Sequence, residues 1–541
     1  MALRLSRLLP SYTYSESTFF VSDEAPREVE TKRREGFRRL ELLFHDRFPK
    51  SIAITERLES GLPDLAFVNS HRVPFQYQKF VHEHLRLPAV VAETDGAQVR
   101  DMDGNWAYDL GGSYGVNLFG SDFYKQCIDR GVSRARNVGV VLGPYHPIVE
   151  DNIERLKAIS GLDAVSFHMS GTEAVMQAVR LARYHTGRSH LVRFSGAYHG
   201  WWDAVQPGIG NPRPALETYT LREMHSDTLR VLQTRDDIAC VLVNPIQALN
   251  PNGMPATDST LIASDRSAHF DKVSYTGWLL ELRKICTARG IVLIVDEVFL
   301  GFRLARGGAQ EYFGVKADMV TYGKTLGGGF PIGVVCGRSD LMCRSKDDRP
   351  LDICFARGTF NSHPYVMATM NEFLCYLDTP EGVARYEGLD ALWDKRAQDL
   401  NRQLEQLGLP VRFANLTSVW TTLYTHPSRY NWMLQYYLRA EGLTMSWIGT
   451  GRFIFSHALT DADFATIAER IVAAARSMND DGWWWTDAAL TNRAIKRRVT
   501  RELLSVSFGR VPLDPAIARA EATAAPCDTS SRREMDPSGS S

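Results

Sequence analysis

The sequence lacks an excess of charge of either sign, because its 62 Lys and Arg residues almost balance its 63 Asp and Glu residues. A net charge of -1 argues against a protein that binds nucleic acid or an anionic membrane surface. No apolar run approaches the roughly 20 residues that a membrane-spanning helix needs. We therefore expect neither nucleic acid nor a membrane as a partner.

The eight cysteines form no Cys-x-x-Cys pair and no Cys/His cluster at metal-ligand spacing. In a chain of 541 residues this pattern indicates reduced thiols and argues against a disulfide framework. We therefore expect a cytoplasmic protein that uses no metal. Hydrophobic residues make up 44% of the chain, which is enough for a large core.

Changes in sequence pattern divide the chain into segments. A helical pattern of apolar residues occurs within the charged region before residue 60, and strand and turn signals begin at Ala89. We predict an N-terminal helical extension (1–60), the first part of a small domain (61–130), a large domain (131–375), the C-terminal part of the small domain (376–510) and a disordered tail (511–541). The polar stretch 250–276 is interpreted as an insertion, either a surface excursion or a lid.

Between about residues 150 and 340, apolar runs typical of buried strands alternate with helical patterns. The runs are Ala164–His168, His190–Phe194, Ile238–Val243, Ile291–Val295, Met319–Tyr322 and Ile332–Val335. This alternation predicts an α/β fold with a mostly parallel sheet covered on both faces. Ligands of such sheets bind beyond the carboxyl ends of the strands.

Lys324 follows one of these runs and precedes three consecutive glycines, Gly327–Gly329. Most lysines are solvated at the surface, but this one has an apolar strand behind it and a tight turn in front. Apolar surroundings disfavour the charged form, which lowers the pKa and leaves an amine able to attack a carbonyl. We therefore interpret Lys324 as the residue that holds an aldehyde cofactor as a Schiff base.

A helix is predicted to begin at Ser170-Gly171-Thr172-Glu173, directly after the run that ends at His168. The Ser-x-x-Glu spacing is typical of a capping box. The first turn of a helix presents free N–H groups and the positive end of its dipole, which suits a phosphate. Many helices that begin in this way bind no ligand. The motif therefore indicates a phosphate site only in combination with the residues at the other strand ends.

Two further strand ends carry residues that suit a flat ring. Tyr198 lies between glycines after Phe194, where it can stack on a ring, although packing in the core is an equally simple interpretation. Asp296 closes an apolar strand, where a carboxylate is costly unless it meets a cation such as a protonated pyridine nitrogen. Metal binding by Asp296 and Glu297 is the alternative, but no histidine lies nearby at ligand spacing.

The motifs Ser-Gly-Thr-Glu-Ala, Tyr-His-Gly, Asp-Glu-Val and Gly-Lys-Thr-Leu-Gly-Gly-Gly together resemble the class-III aminotransferase family of pyridoxal-phosphate enzymes. The resemblance covers about Pro88 to Met370 and points to the glutamate-1-semialdehyde 2,1-aminomutase branch. It implies fold type I, with a central sheet in a large domain and a smaller α+β domain built from N- and C-terminal segments. It also implies pyridoxal 5'-phosphate as cofactor and a homodimer with shared active sites.

The resemblance implies roles at the ring of the cofactor for four residues. Tyr198 would stack on one face of the ring, and Val298 would press on the other. Asp296 would pair with the pyridinium nitrogen. Lys324 would form the internal aldimine and move the proton. Lys324, Asp296 and Tyr198 are thus the implied catalytic residues.

The resemblance further implies contacts to the phosphate and the phenolic oxygen. Backbone and hydroxyl groups of Ser170, Gly171 and Thr172 would hold the phosphate. Gln247 would contact the phenolic oxygen. Thr359, in Gly-Thr-Phe-Asn, resembles the segment that reaches the phosphate of the partner subunit.

The chain departs from the aminomutase pattern in three places. Asn244 stands where relatives usually have Glu, which affects local charge pairing and not the chemistry. Tyr114 stands where the aminomutases have Trp, and Arg72 lies one place earlier than their carboxylate-binding arginine. The segment Gly115–Gly120 is instead similar to aminotransferase domains of polyketide and peptide synthetases. Arg72 and Tyr114 are the predicted substrate-binding residues.

These departures favour intermolecular transamination in secondary metabolism. The expected reaction moves an amino group from an amino-acid donor to an aldehyde, a keto acid or a carrier-bound ketoacyl chain. An aminomutase, in which donor and acceptor are one molecule, is the main alternative. A non-catalytic cofactor-binding relative is the alternative from another class of protein.

Overall fold

The computed structural model describes residues 10–206, 210, 211, 213, 216–245, 271–445 and 451–507. The strands are β1 Glu93–Asp95, β2 Gln98–Arg100, β3 Trp106–Asp109, β4 Ala164–His168, β5 His190–Phe194, β6 Thr218–Leu221, β7 Ile238–Val243, β8 Val292–Asp296, β9 Met319–Gly323, β10 Gly333–Gly337, β11 Ser345–Lys346, β12 Arg349–Ile353, β13 Val411–Leu416, β14 Val419–Tyr424, β15 Leu443–Thr444 and β16 Arg452–Ile454.

The α-helices are α1 Glu16–Phe19, α2 Arg27–Arg47, α3 Pro49–Glu59, α4 Pro63–Ser70, α5 Phe75–His84, α6 Ser121–Ala135, α7 Ile148–Ser160, α8 Gly171–Thr186, α9 Ser226–Thr234, α10 Lys272–Arg289, α11 Gly308–Phe313, α12 Ser339–Met342, α13 Pro364–Leu377, α14 Pro380–Ala384, α15 Leu389–Gln406, α16 Leu434–Ala440, α17 Asp461–Asp480 and α18 Asn492–Ser507. Short 3-10 helices lie at Ser113–Gly115, Lys324–Gly327 and Asn431–Met433. Within the described residues, no helix is both long enough and apolar enough to cross a membrane.

The largest sheet has the strand order β4-β10-β9-β8-β7-β5-β6. β5 to β9 pair in parallel, while β10 is antiparallel to both β9 and β4. β4 therefore runs with the parallel strands, and the reversed strand β10 begins where they end. Gly333, at the start of β10, lies opposite both His168 and Gly323. The prediction of a mostly parallel sheet is confirmed, and it places the ends of β4, β5, β8 and β9 along one edge.

Apolar side chains cover both faces of this sheet. Val241 and Leu293 belong to one hydrophobic cluster, whereas their neighbours Leu242 and Ile294 belong to another. Successive residues of a strand point to opposite faces, so two clusters mean that both faces are buried. Helix α8 ends at Thr186 and is capped by Gly187, whose φ of 66° is the left-handed conformation that favours glycine.

The predicted strands need small corrections. β8 includes Asp296 and β9 includes Gly323, so both functional strand ends lie one residue further along the chain than expected. An unpredicted strand, β6 (Thr218–Leu221), lies at the edge of the sheet and contains no fully buried residue. Its polar composition carries no apolar run of the kind that identified the other strands.

One smaller sheet combines early and late parts of the chain, and another comes from the C-terminal half alone. β2 and β3 pair in antiparallel fashion on either side of the turn at Asp103–Asn105. β15, from the C-terminal half, pairs in parallel with β3. β13, β14 and β16 form a separate antiparallel sheet. The resulting small domain matches the arrangement that the family resemblance implies.

The helices predicted before residue 60 are present and pack on the small domain. Phe37, Leu40 and Phe44 of α2 share one hydrophobic cluster with Trp420 and Trp432 from the C-terminal half. The exact domain boundaries stay predictions. The tail 511–541 lies outside the described residues.

The predicted insertion 250–276 is only partly described. Residues 246–270 lie outside the described part of the chain, and α10 begins at Lys272. Asp271 caps this helix by accepting a hydrogen bond from Ser274 N at 2.9 Å. The last residues of the predicted insertion therefore belong to a helix.

Candidate active site

Asp296 lies at the carboxyl end of β8 and is only 2% exposed. Its Oδ1 accepts hydrogen bonds from Thr321 Oγ1 and Val298 N, both at 3.0 Å. Its Oδ2 lies 2.7 Å from Nδ1 of His199. These donors fix the orientation of the carboxylate at the edge of the sheet. A buried carboxylate held by hydroxyl, amide and imidazole groups suits a cationic ligand.

The neighbouring Glu297 points elsewhere. Its carboxylate accepts hydrogen bonds from Ala309 N at 2.9 Å and Gln310 N at 3.0 Å, at the start of α11. Burial raises the pKa of Glu297 to about 7. Among the described residues, no group of three His, Cys, Asp or Glu side chains is arranged to hold a metal. The alternative of a shared metal site on Asp296 and Glu297 therefore has no support from the geometry.

His199 is a site residue that the sequence analysis did not assign. Its side chain is buried, and Nε2 has no hydrogen-bond partner within the described part of the chain. The available signal was its place in the Tyr-His-Gly motif beside Tyr198. The contact itself joins residues 97 positions apart, so no local spacing could reveal it.

Lys324 follows β9 and begins the 3-10 helix there. Its φ of 45° lies in the left-handed region, which side-chain-bearing residues rarely adopt and which tends to mark functional sites. Burial lowers the pKa of the Lys324 amine, while the nearby Asp296 carboxylate acts in the opposite direction. The lowered pKa agrees with the prediction from sequence, and the two charged groups of the site lie close together.

The helix start after β4 has the predicted form with one difference. Ser170 Oγ accepts a hydrogen bond from Glu173 N at 3.3 Å, as an N-cap should. The Glu173 carboxylate accepts from Met169 N at 2.9 Å, so the reciprocal bond of a capping box is displaced by one residue. Gly171 and Thr172 occupy the first turn of α8, where backbone N–H groups lack partners within the helix.

Glycines allow the four motifs to approach one another closely. A Cβ atom at Gly171 would lie 2.6 Å from a methyl carbon of Val298, and one at Gly323 would lie 3.2 Å from the same methyl carbon. A Cβ at Gly200 would overlap the hydroxyl of Thr172, and one at Gly333 would overlap the Ser170 carbonyl. The phosphate-loop candidate, the Tyr-His-Gly motif, Val298 and the Lys324 turn therefore form one contiguous cluster.

The side chains of Tyr198 and Tyr114 are accessible to solvent. Tyr198 is 53% exposed and Tyr114 is 56% exposed. Arg72, between α4 and α5, is partly buried, and burial lowers its pKa while the hydroxyl groups of Tyr436 and Tyr114 act in the opposite direction. Arg72 Nε donates to Asn69 Oδ1 at 3.2 Å. The structure thus brings Arg72 and Tyr114 near each other.

The remaining predicted residues are less well placed by the structure. Gln247 lies outside the described residues. Asn244, at the end of β7, is buried, and its Oδ1 has no partner among the residues described. Thr359 is exposed in a turn in which Asn361 N donates to the Gly358 carbonyl at 3.2 Å. Its predicted contact with a partner subunit stays a prediction.

The residues present fit a flat, phosphorylated aldehyde such as pyridoxal 5'-phosphate. The start of α8 offers backbone donors to a phosphate, and Asp296 offers a fixed carboxylate to a pyridinium. Lys324 offers an amine whose pKa is lowered. The close approach of Gly171 and Gly200 to their neighbours leaves room for no side chain larger than hydrogen at these positions.

The family model described as aminotransferase class-III matches residues 80–207 and 217–475, which is more than half of the chain. Among curated relatives, the glutamate-1-semialdehyde 2,1-aminomutase of Geotalea daltonii is 30% identical over 370 residues, covering 64% of this chain and 79% of the relative. That of Alkaliphilus oremlandii is 33% identical over 333 residues, covering 58% and 72%.

Solved structures agree with this assignment. An omega-transaminase from Sphaerobacter thermophilus is 25% identical, with a TM-score of 0.64 over 81% of this chain and 99% of that one. A transaminase with PLP bound is 26% identical, with a TM-score of 0.63 over 80% and 98%. A glutamate-1-semialdehyde aminomutase from Pseudomonas aeruginosa shares the fold at 19% identity, with a TM-score of 0.65 over 83% and 99%. The chain therefore belongs to the class-III aminotransferases, as a fold type I, pyridoxal-phosphate-dependent transaminase or aminomutase.

Proposed function

We propose that this enzyme catalyses intermolecular transamination, moving an amino group from an amino-acid donor to a carbonyl acceptor. The observation that carries the proposal is the pair formed by Lys324, an amine of lowered pKa, and Asp296, a buried and oriented carboxylate. When bound, the cofactor supplies an electron sink for the carbanion that proton removal creates. Residues of the chain bind the cofactor, transfer the proton and bind the substrate.

Lys324 binds the cofactor and is the base that takes the α-proton of the donor. A general base works best when its pKa lies near the working pH, and burial moves the amine in that direction. Asp296 pairs with the cofactor nitrogen and keeps it protonated. Thr321 and His199 orient Asp296 through hydrogen bonds of 3.0 and 2.7 Å.

We propose further residues for the phosphate and for both faces of the ring. Ser170, Gly171 and Thr172 bind the phosphate at the positive end of α8. Val298 would hold one face of the ring, because it lies against Gly171 at the start of α8. Tyr198 covers the opposite, accessible face. Gln247 contacts the phenolic oxygen in this proposal, by the resemblance alone.

Arg72 and Tyr114 form the proposed substrate side of the site. A guanidinium binds a carboxylate through two parallel hydrogen bonds, which suits the carboxylate of an amino-acid donor. Tyr114 lies near Arg72, and its exposed ring can pack against the carbon chain of the substrate. The acceptor in this proposal is an aldehyde, a keto acid or a carrier-bound ketoacyl chain of secondary metabolism, and the reaction is cytoplasmic.

We further propose that two copies of the chain share their active sites. The segment around Thr359 exposes several large apolar side chains: Leu351, Ile353, Phe355 and Phe360, which are 50–95% exposed. A monomer rarely leaves such a cluster in water, which supports burial against a second copy. Thr359 would then bind the cofactor phosphate of the partner subunit. Light scattering after size-exclusion chromatography tests the dimer, and a monomeric mass for the active enzyme contradicts it.

The second candidate function is glutamate-1-semialdehyde 2,1-aminomutase activity. The names of the curated relatives at 30–33% identity favour it. In an aminomutase the amino group returns to the same carbon skeleton, so donor and acceptor are one molecule. The two candidates differ in whether a foreign ketone is a substrate.

A half-reaction separates the two candidates. The purified enzyme is loaded with the pyridoxamine form of the cofactor, mixed with single aldehydes and keto acids, and its products are read by mass spectrometry. Transamination predicts amination of a foreign carbonyl compound together with return of the pyridoxal absorption band. The aminomutase function is correct if glutamate-1-semialdehyde is the one compound that restores that band. The product seen by mass spectrometry is then the 4,5-diamino derivative of glutamate-1-semialdehyde.

A further inference from the structure

We propose that Arg303 is a positioning residue that fixes the Tyr114 loop on the substrate side of the site. The inference rests on the transamination proposed above. Arg303 lies seven residues after Asp296, in the segment that leads from β8 to α11. It touches neither Asp296 nor Lys324 in the hydrogen-bond network of the described chain, so its influence on the reaction is exerted through other residues.

The guanidinium of Arg303 joins three separate parts of the molecule. Nη2 donates to the Gly115 carbonyl at 3.0 Å, and Nη1 donates to Ser418 Oγ at 3.0 Å and to the Phe455 carbonyl at 2.8 Å. Gly115 belongs to the loop of Tyr114, whereas Ser418 lies in the turn between β13 and β14 and Phe455 directly follows β16, both in the small domain. The Arg303 side chain therefore connects the Tyr114 loop to the C-terminal part of the small domain.

The guanidinium that makes this connection is buried at a high cost in free energy. Arg303 is only 1% exposed, and within the described residues no carboxylate forms an ion pair with it. Burial lowers its pKa to about 10, so the guanidinium is still charged at neutral pH. A buried cation paired only with neutral acceptors costs more free energy than an apolar side chain of the same volume. Such a cost is expected where the group serves a purpose other than stability.

The loop that Arg303 holds is conformationally strained. Ser113 and Tyr114 have φ values of 49° and 58°, in the left-handed region that non-glycine residues avoid. Strained backbone persists only where surrounding contacts fix it. Asp109 fixes the start of the loop by accepting from Gly111 N and Ser113 N, each at 2.9 Å. Arg303 fixes its end at Gly115.

The Gly115 position also ties the loop to the ring side of the site. A Cβ atom at Gly115 would lie 2.8 Å from the ring of Phe299, which follows Val298 directly. Release of the Gly115 carbonyl would therefore let Tyr114 move relative to Val298 and to Arg72. Displacements of about 1 Å in substrate-positioning groups reduce rates by up to about 100-fold.

The test compares Arg303→Lys with Tyr386→Phe. Lysine keeps the charge but cannot reach three acceptors at once. Tyr386→Phe is the matched control, because its hydroxyl donates to the carbonyl of the neighbouring Phe302 at 2.7 Å and does not contact the substrate loop. For each holoenzyme the cofactor absorption, the donor KM and kcat, and hydrogen exchange of the peptide 111–120 are measured.

We expect Arg303→Lys to retain its cofactor absorption, to raise the donor KM about tenfold with a smaller change in kcat, and to exchange 111–120 faster. Tyr386→Phe should change the melting temperature alone. Ser418→Ala, a milder variant that removes one anchor of the guanidinium, should shift KM and exchange in the same direction by about two- to threefold. This variant decides the question if Arg303→Lys does not fold.

The proposal is wrong if both Arg303→Lys and Ser418→Ala leave KM and the exchange of 111–120 at wild-type values. It is also wrong if Tyr386→Phe reproduces their effects, since the role would then be general stability. A wild-type enzyme that turns over no donor overturns the proposed transamination instead. In that case hydrogen exchange of the peptide 111–120 still tests whether Arg303 fixes the Tyr114 loop.

Discussion

The candidate active site at the edge of the large sheet and the described N- and C-terminal segments both contain buried polar groups, but the charges of the two regions are paired to different degrees. We call residues 10–60 and 476–507 the terminal cap; both segments lie outside the family match. In the cap, buried charges are paired with opposite charges of the cap or of the adjoining small domain. At the sheet edge, Lys324 and Asp296 lie close together, and burial still lowers the pKa of the lysine.

The terminal cap brings together two described segments that lie far apart in the sequence. Arg33 donates two hydrogen bonds to the Asp23 carboxylate, at 2.8 and 2.7 Å, and both side chains are fully buried. Glu502 of α18 accepts from Arg429 at 2.8 Å and from the Tyr14 hydroxyl at 2.6 Å. Complete pairing of this kind positions secondary structure but leaves no charge for a ligand.

The comparison indicates where function lies in this molecule. Charges that are oriented but incompletely neutralised are typical of catalytic sites, while fully paired buried charges are typical of structural contacts. On this argument the cap supports the small domain, and chemistry belongs to the sheet edge. Variants in the two regions should then have opposite effects on activity and stability.

The largest expected effect separates two adjacent carboxylates. Asp296→Asn removes the partner of the cofactor nitrogen, which leaves a buried cation uncompensated at a cost of about 3–5 kcal/mol. We expect the turnover number to fall by about three orders of magnitude with little change in unfolding. Glu297→Gln is the control, because Glu297 contacts α11, and it should keep most of the activity. Equal losses of turnover in both variants would contradict the assignment of different roles to Asp296 and Glu297.

The second prediction concerns the terminal cap. Arg33→Met leaves Asp23 buried without its cation, and we expect the free energy of unfolding to fall by about 3–5 kcal/mol in urea titrations. Arg34→Met is the matched control, because Arg34 pairs at the surface with Glu16 and Glu30 and should cost about 1 kcal/mol or less. Turnover per folded molecule should be unchanged in both. A large loss of turnover in folded Arg33→Met would place the cap in the catalytic machinery.

The sequence predicted the sheet edge well and the cap poorly. Lys324, Asp296 and Ser170 each follow an apolar strand directly, so a few neighbouring residues revealed them. The contact between Arg33 and the Gly482 carbonyl spans 449 positions, and no local pattern encodes such a distance. Arg303 was missed for the same reason, since its acceptors lie up to 188 positions before it.

The smallest expected effect is a pH dependence of stability from Glu297. Its pKa in the folded protein is raised from 4.5 to about 7, so the folded state binds this proton more tightly than the unfolded chain does. The stabilisation is complete below pH 4.5 and is lost as the pH rises through about 7, a change of about 3 kcal/mol. Compared with wild type, Glu297→Gln should lose less stability between pH 5 and pH 8 in thermal melts. Parallel curves would contradict this assignment.

The central claim is that Lys324 binds the cofactor covalently at the sheet edge. The direct measurement is borohydride reduction of the purified holoenzyme followed by peptide mass spectrometry, with Lys324→Ala treated in the same way. The account predicts that the wild-type peptide containing Lys324 carries the reduced cofactor and that the variant carries none. A reduced cofactor on another lysine of the wild type, or an unchanged amount of it in Lys324→Ala, would contradict the account.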